Sequence, residues 1–212
     1  MRAMFRSGRA LLRSAAPLLL ALLVASPAVA GQEPPFSAHA FRKLVERTRQ
    51  AVVPVVSEPR GTAVLVGVRG DLLAPARLVR GGALTVAIGG ERLRAAVVRV
   101  DAATQLALLA LESPEGASFP AATVGSEASL QKGEPLLALA FDRTGALLTP
   151  TGRFEGVLAG KDGARLRTSV PGPLGAALFN RRGELVAVHA GRRLTTFGID
   201  AVKERLAGSA AQ

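Results

Sequence analysis

Apolar positions along this 212-residue chain recur first at helical spacing and then in short runs. Phe41, Leu44, Val45 and Thr48 fall on one helical face, with Arg42, Lys43, Glu46, Arg47 and Arg49 on the others. Ser37 stands where a hydroxyl can cap the first turn, so a helix is expected to run to near Gln50. Short apolar runs follow at Ala51–Val56, Gly61–Val68, Leu72–Ala74, Ala83–Ile88, Arg92–Val100 and Leu106–Leu111, parted by Gly and Pro. Ser113 to Ala122 carries Pro114, Gly116 and Pro120 and reads as a linker. A second set covers Pro135–Phe141, Leu147–Val157, Ala164–Val170, Ala177–Phe179 and Leu185–Ala190. Evenly spaced short strands with turn residues between them are the pattern of an all-β sandwich or barrel. The two sets are of similar size, at about 51–112 and about 123–198. Thr196–Lys203 closes the chain as an expected helix with Asp200 as its cap.

The first thirty residues belong to a different class of segment. Arg2, Arg6, Arg9 and Arg13 precede the apolar run Ala15–Ala25, and Ala28-Val29-Ala30 is a small-x-small cleavage site. This is the layout of a secretory signal peptide cut between Ala30 and Gly31, with an uncleaved anchor as the alternative. The apolar stretch is shorter than the ~20 residues a span requires, and no later segment is a candidate span. The mature domain, 31–212, is therefore expected in the periplasm or outside the cell. Loss of four arginines and no acid lowers the formal charge from +11 to +7. The remaining surplus is scattered arginine, which reads as a solvated surface before it reads as a polyanion site.

Cysteine is absent, which removes disulfides and thiolate ligands. Two histidines, His39 and His189, and no carboxylate cluster leave no expected metal site, and no cofactor is expected. The stretch Gly156–Asp162 departs from a phosphate-binding loop in length and in the residue after Lys161. Without Tyr or Trp there is no usual stacking platform for single strands, so nucleic acid is not an expected partner.

The most informative stretch is Thr168–Ala190. A small-residue turn, Pro171-Gly172-Pro173-Leu174-Gly175-Ala176, leads to an apolar strand, a hairpin turn at Asn180–Gly183 and a second strand. It resembles the nucleophile region of trypsin-like serine peptidases, in particular the HtrA/Deg type, whose Pro-Gly-Asn-Ser-Gly-Gly-Pro-Leu run is matched at Pro171, Gly172, Gly175 and Leu178. Gly70–Val79 resembles that family's Gly-x-Ile-Leu-Thr-Asn-Asn-His-Val-Val, and Asp101–Leu109 resembles its Asp-x-x-Thr-Asp-Leu-Ala-Leu-Leu. The resemblance implies a double six-stranded β-barrel with a short N-terminal helix and a C-terminal helix, and Thr196–Lys203 resembles the family's end, where a final strand runs into that helix. It also puts Arg77, Gln105 and Leu174 at the positions of the His, Asp and Ser of the triad.

Those three side chains cannot run the family's chemistry. A guanidinium has no acceptor for a serine proton, an amide carries no charge to steady an imidazolium, and leucine has no nucleophilic atom. The family's oxyanion hole corresponds to the backbone of Gly172 and Leu174, with no catalytic residue expected. A pseudoprotease that binds or scaffolds a polypeptide of the cell envelope is the leading expectation. A hydrolase with displaced residues (Ser169 or Thr168 with His189) and an arginine-dependent polyanion or envelope-surface binder are the alternatives. In the family, the strand after the nucleophile hairpin pairs with extended peptide, which marks Val188, His189, Ala190, Gly191, Arg192 and Arg193 as an expected peptide-binding edge. The competing expectation is a closed groove, with Leu174 and the stem of Arg77 filling the former site.

Overall fold

Ser37 opens the helix as its position implies: its backbone is extended and its Oγ accepts from the Ala40 amide at 3.3 Å. The helix, α1, is Ala38–Thr48, and it buries Leu44 and Thr48. The Thr48 hydroxyl donates back to the Leu44 carbonyl at 2.8 Å, which lets a polar side chain sit in the core. A single tight turn, Arg49–Ala51, leads into the first strand. The computed structural model describes residues 35–159, 165–190, 195–200 and 202–203, so the expected signal segment lies outside the described residues.

The first strand set is β1 (Val52–Val55), β2 (Gly61–Leu65), β3 (Asp71–Pro75), β4 (Ala83–Ile88), β5 (Glu91–Asp101) and β6 (Leu106–Leu111). They form a closed antiparallel barrel in the order β1-β2-β3-β6-β5-β4, sealed where Val55 pairs with Val86. The second set is β7 (Thr123–Val124), β8 (Pro135–Phe141), β9 (Leu147–Leu148), β10 (Thr151–Leu158), β11 (Arg165–Thr168), β12 (Ala177–Phe179), β13 (Glu184–His189) and β14 (Thr196–Gly198). Six of these close a second antiparallel barrel, β8-β10-β11-β14-β13-β12, through the pairing of β10 with β8. The chain is thus the all-β double barrel that the resemblance implies.

The strand runs are apolar without alternation because many strands are buried on both faces. Val53, Ala63, Leu65, Leu72 and Leu109 fill the first barrel. Leu136, Ala138, Leu178 and Val186 fill the second. The opposite faces meet in a seam that contains Val52, Val64 and Leu73 from one barrel and Leu137, Leu139 and Phe179 from the other, with Leu44 of α1 packed in. A fully buried side chain of this kind is worth about 1.5–3 kcal/mol, so the seam contributes to stability alongside the two barrel interiors.

Three elements differ from what the local pattern alone leads one to expect. Leu147–Val157 is two strands, interrupted at Thr149-Pro150, because Pro150 has no N–H to give the ladder. Thr123–Val124, at the end of the linker, adds a short strand parallel to β13. Thr196–Gly198 is a strand that completes the second barrel, and the backbone turns helical only at Ile199–Asp200 and Val202–Lys203. Asp200 is not that helix's cap; its amide instead donates to the carboxylate of Glu127, at 2.6 Å. Burial pushes the Glu127 carboxyl above the usual carboxylate range.

Candidate functional site

Two walls of the inter-barrel cleft can be traced to local sequence. After β3 the chain makes a tight turn, Ala76–Leu78, in which Leu78 is buried and Arg77 is left exposed. The Ala76 amide donates to the Gln105 carbonyl at 2.8 Å, which fixes the β5–β6 turn beside Arg77. That turn is organised by Asp101, whose carboxylate accepts from the amides of Ala103 and Thr104 and from the Thr104 hydroxyl at 3.2, 3.1 and 2.6 Å. Gln105 follows in a left-handed conformation, φ 55°, with its side chain exposed.

The facing wall is the turn Pro171–Ala176. The Ala176 amide closes on the Pro173 carbonyl at 3.1 Å, and Gly175 takes φ 86°, a value that a Cβ makes costly. Gly175 also lies so close to Thr62 of β2 that a side chain there would strike the Thr62 backbone. Leu174, half-buried, packs with Ala76 and Val79 onto the core of the first barrel. The amides of Gly172 and Leu174 have no acceptor among the described residues. Gly172 is required for a second reason: a Cβ there would come within 2.9 Å of His189 Cδ2 and 3.1 Å of Nε2.

Between the walls is a cleft of about 610 Å³, lined by Arg77 and Leu78 from the first turn and by Pro173 and Leu174 from the second. Its rim adds Glu58–Gly61 between β1 and β2 and Phe141–Arg143 at the end of β8. The buried Thr62 hydroxyl joins the barrels here, accepting from the Phe141 amide at 2.7 Å. Arg60 donates to Glu58 at 3.2 Å and to the Arg143 carbonyl at 3.2 Å. Arg77 and Leu174 therefore share one cleft, and Gln105 is held next to it through its backbone. Leu174 fills part of the site, but Arg77 does not pack into a core and the cleft is open.

The expected peptide-binding edge requires correction. Val188 pairs with Ala177 on one side and Phe197 on the other; the His189 amide donates to Ala176, and the Ala190 amide to Thr195. All three residues are buried, and their strand is interior, so it has no free ladder to offer a peptide. Gly191, Arg192 and Arg193 lie outside the described residues. His189 is buried with its Nδ1 2.8 Å from the Thr196 hydroxyl, its Nε2 unpartnered, and its pKa pushed down to about 4 by burial. Ser169 accepts from the Arg153 amide at 2.9 Å and Thr168 donates to the Arg153 carbonyl at 3.1 Å, so both hydroxyls serve the β10–β11 pairing. His39 lies exposed in the first turn of α1.

Sequence reasoning missed Arg60, Thr62, Phe141 and Arg143. They come from loops and strand ends of both barrels, and no linear spacing joins them. The one available signal was the turn pattern at Asp142–Gly145, where Asp142 accepts from the Thr144 amide and hydroxyl and from the Ala146 amide. Those bonds hold the Asp142 carboxyl below its usual range.

Two closed six-stranded antiparallel barrels with a cleft at their seam define the trypsin-like class of fold. The family model described as trypsin-like peptidase domain matches residues 61–188, more than half the chain, and the chain belongs to that family. No curated protein matches it. Among the described residues, no helix is long and apolar enough to cross a membrane.

Proposed function

We propose that this chain is an exported, HtrA/Deg-type member of the family that has lost peptidase chemistry and binds polypeptide in the cell envelope. The observation that carries the reading is the chemistry of the cleft: the residue facing Leu174 across it is Arg77. At positions 77 and 174 a peptide carbonyl bound there meets no base and no nucleophile, because guanidinium stays protonated and leucine has no lone pair; the cleft's carboxylates, Glu58 and Asp142, are held by Arg60 and by the Asp142–Ala146 turn. Without a triad, residual acceleration in the serine-protease case is on the order of 10³–10⁴ over water, which is undetectable for an amide. The displaced-hydrolase alternative draws no support from His189, whose unpartnered nitrogen is buried and whose neighbours do not include Ser169 or Thr168 among its hydrogen bonds.

The test is labelling with a fluorophosphonate, alongside hydrolysis of casein. The purified protein should take up no label and release no peptide. Turnover that is abolished by Ser169→Ala, Thr168→Ala or His189→Ala would overturn the proposal. The combined variant Arg77→His, Gln105→Asp, Leu174→Ser should acquire label at position 174. If it folds and remains unlabelled, the three positions are not the triad equivalents.

A further inference from the structure

Charge in the cleft is not balanced. Five charged side chains line it, three arginines against two carboxylates, so the lining carries a net positive charge. Glu58 is paired with Arg60 at 3.2 Å. Asp142 directs one oxygen at three donors of its own turn, between 2.6 and 2.9 Å. Arg77 and Arg143 are both exposed, and neither guanidinium has a hydrogen bond or ion pair among the described residues. Apolar surface from Phe141, Leu174 and Pro173 lines the same cleft. A recess of this volume is in the range that holds a ligand group, and its low-dielectric walls make charge recognition stronger than on an open surface.

We propose that the cleft holds the side-chain carboxylate of an acidic residue within an extended polypeptide, on the guanidinium groups of Arg77 and Arg143. The planar fork of arginine matches a carboxylate, and the apolar walls suit the neighbouring side chains of such a chain. A nucleic acid or sulfated polysaccharide instead needs a row of cations, and among the described residues this recess offers two unpaired ones. The inference deepens the proposed function and rests on its reading that the cleft binds polypeptide without cutting it.

The experiment measures fluorescence anisotropy of the purified protein with a short tagged peptide carrying two adjacent glutamates, against a twin carrying glutamines. The glutamate peptide should bind about tenfold more tightly, the effect of a charge-assisted contact. Arg77→Gln and Arg143→Gln should each weaken it by roughly three- to tenfold and leave the glutamine twin unaffected. Arg92→Gln, on the exposed face of β5 outside the cleft, should change neither. Circular dichroism of each variant checks that it is folded; both cleft arginines are exposed, so the fold should tolerate their loss. Equal affinity for the two peptides overturns the inference. So does an equal effect of Arg92→Gln, or a sulfated polysaccharide that outcompetes the glutamate peptide at Arg77. Mass spectrometry of the recovered peptide separates the two readings. A cut peptide overturns the non-catalytic function, whereas an intact peptide without acid preference overturns only this inference.

Discussion

Gly175→Ala should be among the most damaging single methyl additions in this protein, and Gly145→Ala provides the comparison that shows why. Both glycines have left-handed backbones, at φ 86° and 89°. An alanine held there costs about 1–2 kcal/mol. Stiffening of the unfolded chain returns about 0.4–1 kcal/mol of that. Gly145 has nothing within 4 Å of its would-be Cβ, so its net loss should be about 1 kcal/mol or less. Gly175 has the Thr62 carbonyl carbon at 3.0 Å and Thr62 Cβ at 3.2 Å, with the carbonyl oxygen closer still. A strand backbone cannot rotate away as a flexible side chain can. Relief requires the turn to retreat from β2, which peels the half-buried Leu174 off the first barrel's core and strains the Thr62–Phe141 bond. Together these raise the loss to about 3–5 kcal/mol, a large share of the ~5–15 kcal/mol available to a domain. Urea unfolding is the assay. With a slope of about 2 kcal/mol/M, the Gly175→Ala midpoint should fall by roughly 1.5–2.5 M and that of Gly145→Ala by about 0.5 M or less. Equal shifts would mean that backbone strain is the whole effect and that the contact between barrels is not tight.

Thr62→Val keeps the shape of the side chain but leaves the Phe141 amide without its acceptor; stability should fall by about 1–3 kcal/mol, and Thr62→Ser should recover most of it by the same urea assay. A valine variant within about 0.5 kcal/mol of the unmodified protein would refute the role given to this bond. His189 makes stability depend on pH in a stated direction. Its pKa is about 4 folded and 6.5 unfolded, so below pH 6.5 the unfolded chain binds the extra proton and stability falls until pH 4. The loss across that window is about 3 kcal/mol, and His189→Gln should flatten the urea midpoint between pH 6.5 and 4.5. Asp142 and Glu184 are held below ordinary values of 3.8 and 4.5 by hydrogen bonds, so their losses begin only near the bottom of the window. A variant whose pH profile follows that of the unmodified protein would refute the assignment to His189.

Sequence by itself determined the helix, most of the strands and the all-β class, because those depend on local patterns; the double barrel was implied by the resemblance. Ala83–Ile88, Leu106–Leu111, Pro135–Phe141 and Ala177–Phe179 are strands with the bounds their apolar runs mark. The assignment of positions 77, 105 and 174 to the triad rests on the resemblance instead, each lying in a short motif similar to the family's. Tertiary structure decided what lies opposite what. Thr196–Gly198 is apolar enough for either helix or strand, and it is a strand because β11 and β13 leave a gap that only another strand can close. The same addition covers the free side of β13, which is why Val188, His189 and Ala190 cannot pair with a peptide. The cleft too exists only in three dimensions: Arg60, Arg77, Arg143 and Leu174 are far apart in the chain and meet because two closed barrels share one apolar seam. The strands of these barrels are marked by short apolar runs along the chain, but the partners across the seam are specified by shape, which no single stretch of sequence contains.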